Sequence, residues 1–414
     1  MTYRELLDLY KRNELEADQK NQVETDIEKQ EAISDYLYEK DDIPALTAIL
    51  GENGRTDEVD SVSSRQEREF MRMIRQSIRR AFVKMGIVAS AIALVILLLI
   101  QFVLPQIVSA FYYDPGKEVA ENTNQMSLDM AVYTELLVPQ YIRFNVNVQD
   151  LGYGNYDFNI NQNDSYNGVF TDVSGRIERG RMIKYDVNAL TRPTANAFAY
   201  SIAYENPSRS MSELEAANQV SMGAAGFSTD NVSQLSTLPD NNKYVAYVTL
   251  QKLMEYSPFI RFIQDNSIND AWCAVSTNWN STTSNMLYPE NLGFQYGQGS
   301  YNIKWDKEHY PNLMLYDYDL MSADPSLYYK EMNENLSSED FMLAHFTSLL
   351  RYLSDQKKFL KMMDLDKSMF TKAADYVEDN GLLIYGFAIV ANKEQLLKLA
   401  EQDEVYLIYT QPLK

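Results

Sequence analysis

The chain has 414 residues, enough for two or three domains, and 58 acidic against 37 basic side chains give it a formal net charge of −21. That balance excludes an extended basic surface for nucleic acid, and a single cysteine, Cys273, excludes an internal disulfide framework. Thirty tyrosines and seventeen phenylalanines are what a large uncross-linked region has to build its core from.

Taken in chain order, residues 1–51 read as a helical arm. Thr2-Tyr3-Arg4-Glu5 has the form of a capping box, in which the Thr hydroxyl and the Glu carboxylate satisfy each other's backbone amides. A helix is expected to start there, with Leu6, Leu9 and Tyr10 on its apolar face. A longer helix is expected over about residues 18–39, with Val23, Ile27, Ile33 and Leu37 on one stripe. A short one over 43–50 carries Leu46 and Ile49, with Pro44 near its first turn and Gly51 just past its end. The first 60 residues hold 7 bases and 17 acids. A lone core of fewer than about seventy residues supplies only a few kcal/mol, so the exposed stripe points to a helix-in-groove contact with a protein partner. A small self-contained bundle is the simpler alternative. No Cys or His occurs in the first 84 residues, so whatever the arm does, it does without zinc.

Residues 52–84 read as a linker, polar at first (ENGRTDEVDSVSS) and then strongly basic, with Arg72, Arg75, Arg79, Arg80 and Lys84 nearest its end. Met85 to Leu104 (MGIVASAIALVILLLIQFVL) is an almost unbroken apolar run. Twenty helical residues rise about 30 Å, the thickness of a bilayer's hydrocarbon core. Bases stay on the cytoplasmic side, and Lys117 is the only one between Pro105 and Tyr141. The expected topology is therefore a single-pass cell-membrane protein with a cytoplasmic N-terminus and an extracytoplasmic C-terminal region. Phe111, Tyr112 and Tyr113 stand where an interfacial aromatic belt belongs, and the basic flank would meet anionic membrane lipid. Val108-Ser109-Ala110 has the small-residue pattern of a cleavage site, but signal sequences have apolar cores of only about 7–15 residues near the N-terminus. A buried core helix is the other reading, and the length of the run and its few caps or interruptions stand against it.

Beyond the span, an α+β region with antiparallel strands and interspersed helices is expected. Residues 141–161 alternate with period two, Ile142, Phe144, Val146 and Val148 and then Tyr156, Phe158 and Ile160, around a Gly-containing loop. The pattern recurs at 198–204 and 244–250. Helices are expected over 211–219, 339–363 and 393–402, the last capped by Asn392 with Gln395 and flanked by strands 382–390 and 405–409 in a β-α-β unit. No catalytic constellation stands out. His309 and His345 are the only histidines, and neither lies in a His-Glu-x-x-His motif. No Gly-x-Ser-x-Gly elbow or phosphate-cradling glycine loop occurs either, so no catalytic, cofactor or metal residues are assigned. His345, between Ala344 and Phe346, reads as a packed or surface histidine.

Several stretches carry a resemblance. The basic flank and span, then FYYDP, NQMSLDMAVYTELLVPQY and DLGYGNYDF, resemble the N-terminal sigma-factor-regulator domain of Gram-positive membrane anti-sigma factors. YVAYVTLQKLMEYSPFI, AWCAV, LGFQYG and NGLLIYGFAIVANKEQLLKLAEQDEVYLIY are similar to its C-terminal companion. The arm resembles a zinc-less version of the anti-sigma helical domain. The resemblance implies two extracytoplasmic domains, 105–190 and 191–414, and a protein that is not an enzyme. It implies an anti-sigma factor that holds an extracytoplasmic-function sigma factor in the cytoplasm and releases it on an envelope signal. Its partners would be that sigma factor, membrane lipid and an envelope signal or second membrane protein, with no direct contact to nucleic acid. The family has no motif that marks sigma-binding positions, so the arm residues above rest on amphipathicity alone. The alternative is a membrane-anchored ligand-binding module or enzyme with an incidental cytoplasmic tail.

Overall fold

The computed structural model describes residues 10, 19–29, 63–139, 141–184, 197–199, 209–220, 231–277, 291–297, 303–315 and 318–413. The chain divides into two compact units, Met1–Ser90 and Ala91–Lys414. In the first, residues 19–29 are helical, as the arm's stripe predicts. The strand expected over 198–204 lies outside the described residues beyond Ala199.

Helix α1 (Ser63–Leu98) begins well before the apolar run, so the second half of the expected linker is helix. Its side chains from Met71 onward are exposed throughout, and 71–109 is the one stretch among the described residues long and apolar enough to cross a membrane. The helix widens to a π turn over Leu99–Val103 before closing as α2 (Leu104–Ser109). Pro105 is the local cause, since it has no N–H to give the Gln101 carbonyl and its ring crowds that carbonyl.

After a small ribbon of β1 (Glu118–Ala120) and β2 (Thr123–Asn124), α3 (Gln125–Leu137) is capped by the Asn124 side chain on Ser127 N–H. Every residue from Met126 to Leu137 is buried. The helix packs on a four-stranded antiparallel meander of β3 (Tyr141–Gly152), β4 (Asn155–Asp164), β5 (Phe170–Glu178) and β6 (Arg181–Lys184). The β3–β4 hairpin and the inward Tyr156, Phe158 and Ile160 match the alternation. One expectation fails. The register shifts between Arg143 and Asn145, and this bulge inserts a residue and reverses the alternation before it. Arg143 therefore stands opposite inward-facing Gln162 and is fully buried, while Ile142 falls on the other face.

A second sheet has the order β11-β7-β10-β8-β9 and is antiparallel throughout. Its strands are β7 (Lys243–Glu255), β8 (Ala271–Val275), β9 (Leu292–Tyr296), β10 (Leu383–Asn392) and β11 (Val405–Pro412). Both faces are covered. On β7, Tyr244, Ala246, Val248 and Leu250 enter the main core, while Val245 and Tyr247 enter a smaller one with Phe198, Met211 and Leu214. The main core also takes α4 (Glu339–Asp355), α5 (Lys357–Met362) and α6 (Lys367–Asn380). The helix expected over 339–363 is thus two, broken at Gln356. Helix α7 (Lys393–Ala400) carries the expected Asn392–Gln395 capping box. The β-α-β unit is split, because β7 lies between β10 and β11 and pairs antiparallel with both. One hydrophobic cluster joins α3, the meander and the second sheet, so the portions before and after residue 190 pack as one compact unit.

Candidate functional site

The residues just past the apolar helix are held from three sides by the α+β unit. The β3–β4 hairpin turns on Tyr153 and Gly154, both at positive φ. Its Tyr153 hydroxyl donates to the Ile100 carbonyl at 2.8 Å, in the π turn where the regular ladder is broken. Gly154 N–H donates to Ser109 Oγ at 2.8 Å. A Cβ on Gly154 would stand 2.8 Å from Tyr112 Cδ2, so only glycine admits that ring at a turn already in the left-handed region. The β5–β6 turn, Arg179-Gly180, lies on the same ring and gives Arg179 N–H to the Gly154 carbonyl at 2.8 Å. From the third side, Lys358 on α5 donates Nζ to the carbonyls of Ala110 and Tyr112, each at 2.8 Å.

Tyr113, the next residue, points inward. It is buried against Phe359, with ring centroids 5.8 Å apart, and its hydroxyl donates to Asp129 Oδ2 at 2.7 Å. Asp129, on α3, has no exposure to solvent. Its other oxygen accepts from the Tyr352 hydroxyl on α4 at 2.7 Å and from Gln125 Nε2 at 2.8 Å. Gln125 Nε2 also lies 3.2 Å from Gln356 Oε1, at the break between α4 and α5. Burial pushes the Asp129 carboxyl up to about 6, against the lowering effect of its three hydrogen-bond donors. Burial likewise raises the Tyr113 and Tyr352 hydroxyls well above the usual tyrosine range, and the Asp129 charge adds to it.

The same helix carries a second buried acid. Glu135 Oε1 meets His345 Nε2 at 3.0 Å, and His345 Nδ1 lies 2.7 Å from the Asn312 carbonyl. That carbonyl can only accept, so Nδ1 holds a hydrogen, and the Nε2–carboxyl contact requires one proton more. The Glu135 carbonyl accepts from Trp272 Nε1 at 2.7 Å, which joins α3 to β8. Arg143 donates Nε to Gln162 Oε1 at 2.8 Å and NH1 to Thr134 Oγ1 at 3.3 Å, its guanidinium 5.0 Å from the Tyr141 ring centre. Burial lowers its pKa to about 10.

Chemically this arrangement couples elements. His345 is sealed from solvent and cannot reach a substrate. His309 is exposed and lies 2.6 Å from Asp306. Among the described residues no group of three or more His, Cys, Asp or Glu could hold a metal ion.

Of the arm positions expected to meet a partner, Leu6, Leu9, Ile33, Leu37, Leu46 and Ile49 lie outside the described residues. Tyr10 is half-buried and donates its hydroxyl to Glu24 at 3.2 Å. Val23 is buried at 2% exposure and Ile27 is half-buried, so Val23 is already covered within the chain. Arg72, Arg75, Arg79, Arg80 and Lys84 are all exposed on α1. Asp129 and Glu135 lie in no motif that the sequence offers. The available signal was acids inside a helix apolar on every side, which a buried helix admits only when they are partnered.

Residues 235–408 match the family described as Sigma factor regulator C-terminal. This similarity supports a regulator that acts on a sigma factor. The matched stretch contains the second sheet up to Ile408 of β11, with His345, Tyr352 and Lys358, and α3 with both buried acids precedes it. No curated protein and no solved structure matches the chain.

Proposed function

We propose that this chain is a single-pass membrane anti-sigma factor, its N-terminal arm in the cytoplasm and its α+β unit outside. The observation that carries the reading is the similarity of residues 235–408 to a sigma factor regulator domain, on the same chain as an exposed apolar helix. The one-sided distribution of bases around that helix supports the orientation. The acidic arm with its apolar stripe supports a protein partner on the inner side, an extracytoplasmic-function sigma factor held by helix-in-groove packing.

Release of the sigma factor requires that the outer unit alter the affinity of the arm, and each tenfold change in occupancy takes about 1.4 kcal/mol. The contacts at the membrane exit offer a route for that coupling. Tyr153, Gly154 and Lys358 grip the backbone between Ile100 and Tyr112, and Tyr113 continues the grip inward to Asp129 and Tyr352.

The test is co-purification. The full chain, extracted from membranes, should bring down a sigma factor encoded beside it, and Leu6→Asp with Leu9→Asp should abolish this. An unpaired carboxylate in an apolar groove costs more than the roughly 2–7 kcal/mol of an unpaired neutral polar group. Retention of the sigma factor by the double variant would refute the assigned face. Absence of any sigma factor from the wild-type preparation, with a hydrolytic activity lost in His309→Ala, would favour a membrane-anchored enzyme.

A further inference from the structure

The two hairpin turns that grip Tyr112 also open a groove of about 740 Å³, lined by Tyr112, Leu151, Arg176, Arg179, Arg181 and Ile183. Its volume is that of a small-ligand site. Its charge runs against its surroundings, for the chain beyond the basic flank holds 23 bases and 39 acids. Within the groove, Arg176 is neutralised by Asp157, to which its NH2 donates at 2.9 Å. Glu178 is the one acid of the lining. Arg179 and Arg181 are exposed and make no ion pair with another described residue.

The backbone gives a second indication. Arg179 sits at φ +49 in a two-residue turn before Gly180, a position where Asn, Asp or Gly is the inexpensive choice. A long cation there has a steric cost that no described contact of its side chain repays.

The third indication is height. The turn beside the groove is bonded to Ile100 and Ser109, within and just beyond the apolar run. Exposed polar backbone does not enter hydrocarbon, so on the reading that this helix spans the membrane these turns lie in the headgroup layer. Leu151 and Ile183, which line the groove, are 42% and 45% exposed, and Phe111, next to Tyr112 in the chain, is 75% exposed. Aliphatic and aromatic side chains interleaved with arginines suit the boundary between acyl chains and phosphates.

We propose that this groove binds the phosphodiester headgroup of an anionic phospholipid in the outer leaflet, with Arg179 and Arg181 as its ligands. Arginine gives a phosphate oxygen pair two parallel N–H donors, and beside lipid such a contact is shielded from bulk water. Lipid bound there would brace Tyr112 and the turns against each other, which makes lipid composition an input to the same junction.

The test uses the full chain reconstituted in bilayers doped with a phosphatidylglycerol or a phosphatidylcholine probe, photoreactive near the headgroup, with an acyl-chain-photoreactive phosphatidylcholine as the control for the span, followed by peptide mapping. Peptides covering 176–184 should be labelled by the phosphatidylglycerol probe and protected by excess unlabelled phosphatidylglycerol. In Arg179→Gln/Arg181→Gln that labelling should fall by about tenfold, as expected when two charge-assisted contacts are lost, while labelling of 85–104 is unchanged. Equal labelling by the phosphatidylcholine probe, or no change in the variant, would overturn the proposal. Displacement by millimolar glycerol phosphate would assign the groove to a soluble phosphate ligand and overturn it as well. Absence of label from 85–104 with the acyl-chain probe would instead defeat the membrane-span reading on which the proposal rests.

Discussion

The Tyr113 hydroxyl, four residues beyond the end of α2, donates to the carboxyl of Asp129 at 2.7 Å with both side chains buried. A buried carboxyl without partners costs several kcal/mol and is avoided, so Asp129 is retained together with Tyr113, Tyr352 and Gln125 as a unit. The unit ties the segment that follows the apolar helix to α4, which lies inside the region similar to the sigma factor regulator family. Displacement of Tyr113 would leave the acid short of a donor, which makes movement at the exit costly unless α3 and α4 respond.

The acid's raised pKa sets a pH dependence. Its folded value of about 6 exceeds the ordinary 3.8, so the folded state binds the proton more tightly than the unfolded chain. The group's contribution is therefore greatest below about pH 4 and is lost as pH rises through about 6, by roughly 3 kcal/mol in all. Asp129→Asn removes this slope. The stability of wild type relative to the variant, from unfolding of the full chain in detergent followed by tryptophan fluorescence, should decline between pH 4 and pH 6 and level off above. A difference that is flat across that range would mean that Asp129 is charged throughout.

Gly154→Ala should destabilise the outer unit by about 1–3 kcal/mol, because a left-handed turn position and a close ring contact both resist a Cβ. Adding Tyr112→Ala should recover the part due to the ring and leave the backbone part. A strictly additive double variant, read from the same unfolding measurement, would show that Tyr112 does not press on the turn.

The buried Glu135–His345 pair predicts an ordered series. Glu135→Ala strips His345 of its Nε2 partner and should cost about 3–5 kcal/mol, whereas Glu135→Gln keeps a hydrogen bond and should cost clearly less. His309→Ala, on an exposed turn, should stay within about 0.5 kcal/mol of wild type. Equal losses for the two Glu135 variants would show that the hydrogen bond to His345 contributes little.

Orientation is checked with protease on intact spheroplasts. Cleavage should remove sequence beyond Phe111 and spare residues 1–84, since the bases precede the span. Survival of the outer unit under conditions that degrade the arm would reverse the topology.

The span, the hairpin around Gly152 and Gly154, and the Asn392–Gln395 cap could be read directly from the chain. Each is a local matter, decided by run length, period-two alternation or a side chain reaching its own next turn. The bulge at Phe144 that buries Arg143 could not be read this way, because an inserted residue is defined only against the partner strand. Nor could the place of β7 between β10 and β11, which is set by pairing more than a hundred residues apart. Local pattern assigns no role to Asp129 and Glu135 on α3. Tertiary structure supplied Tyr352 and His345, more than two hundred residues away, since a buried acid's partners are chosen by packing and not by neighbourhood in the chain.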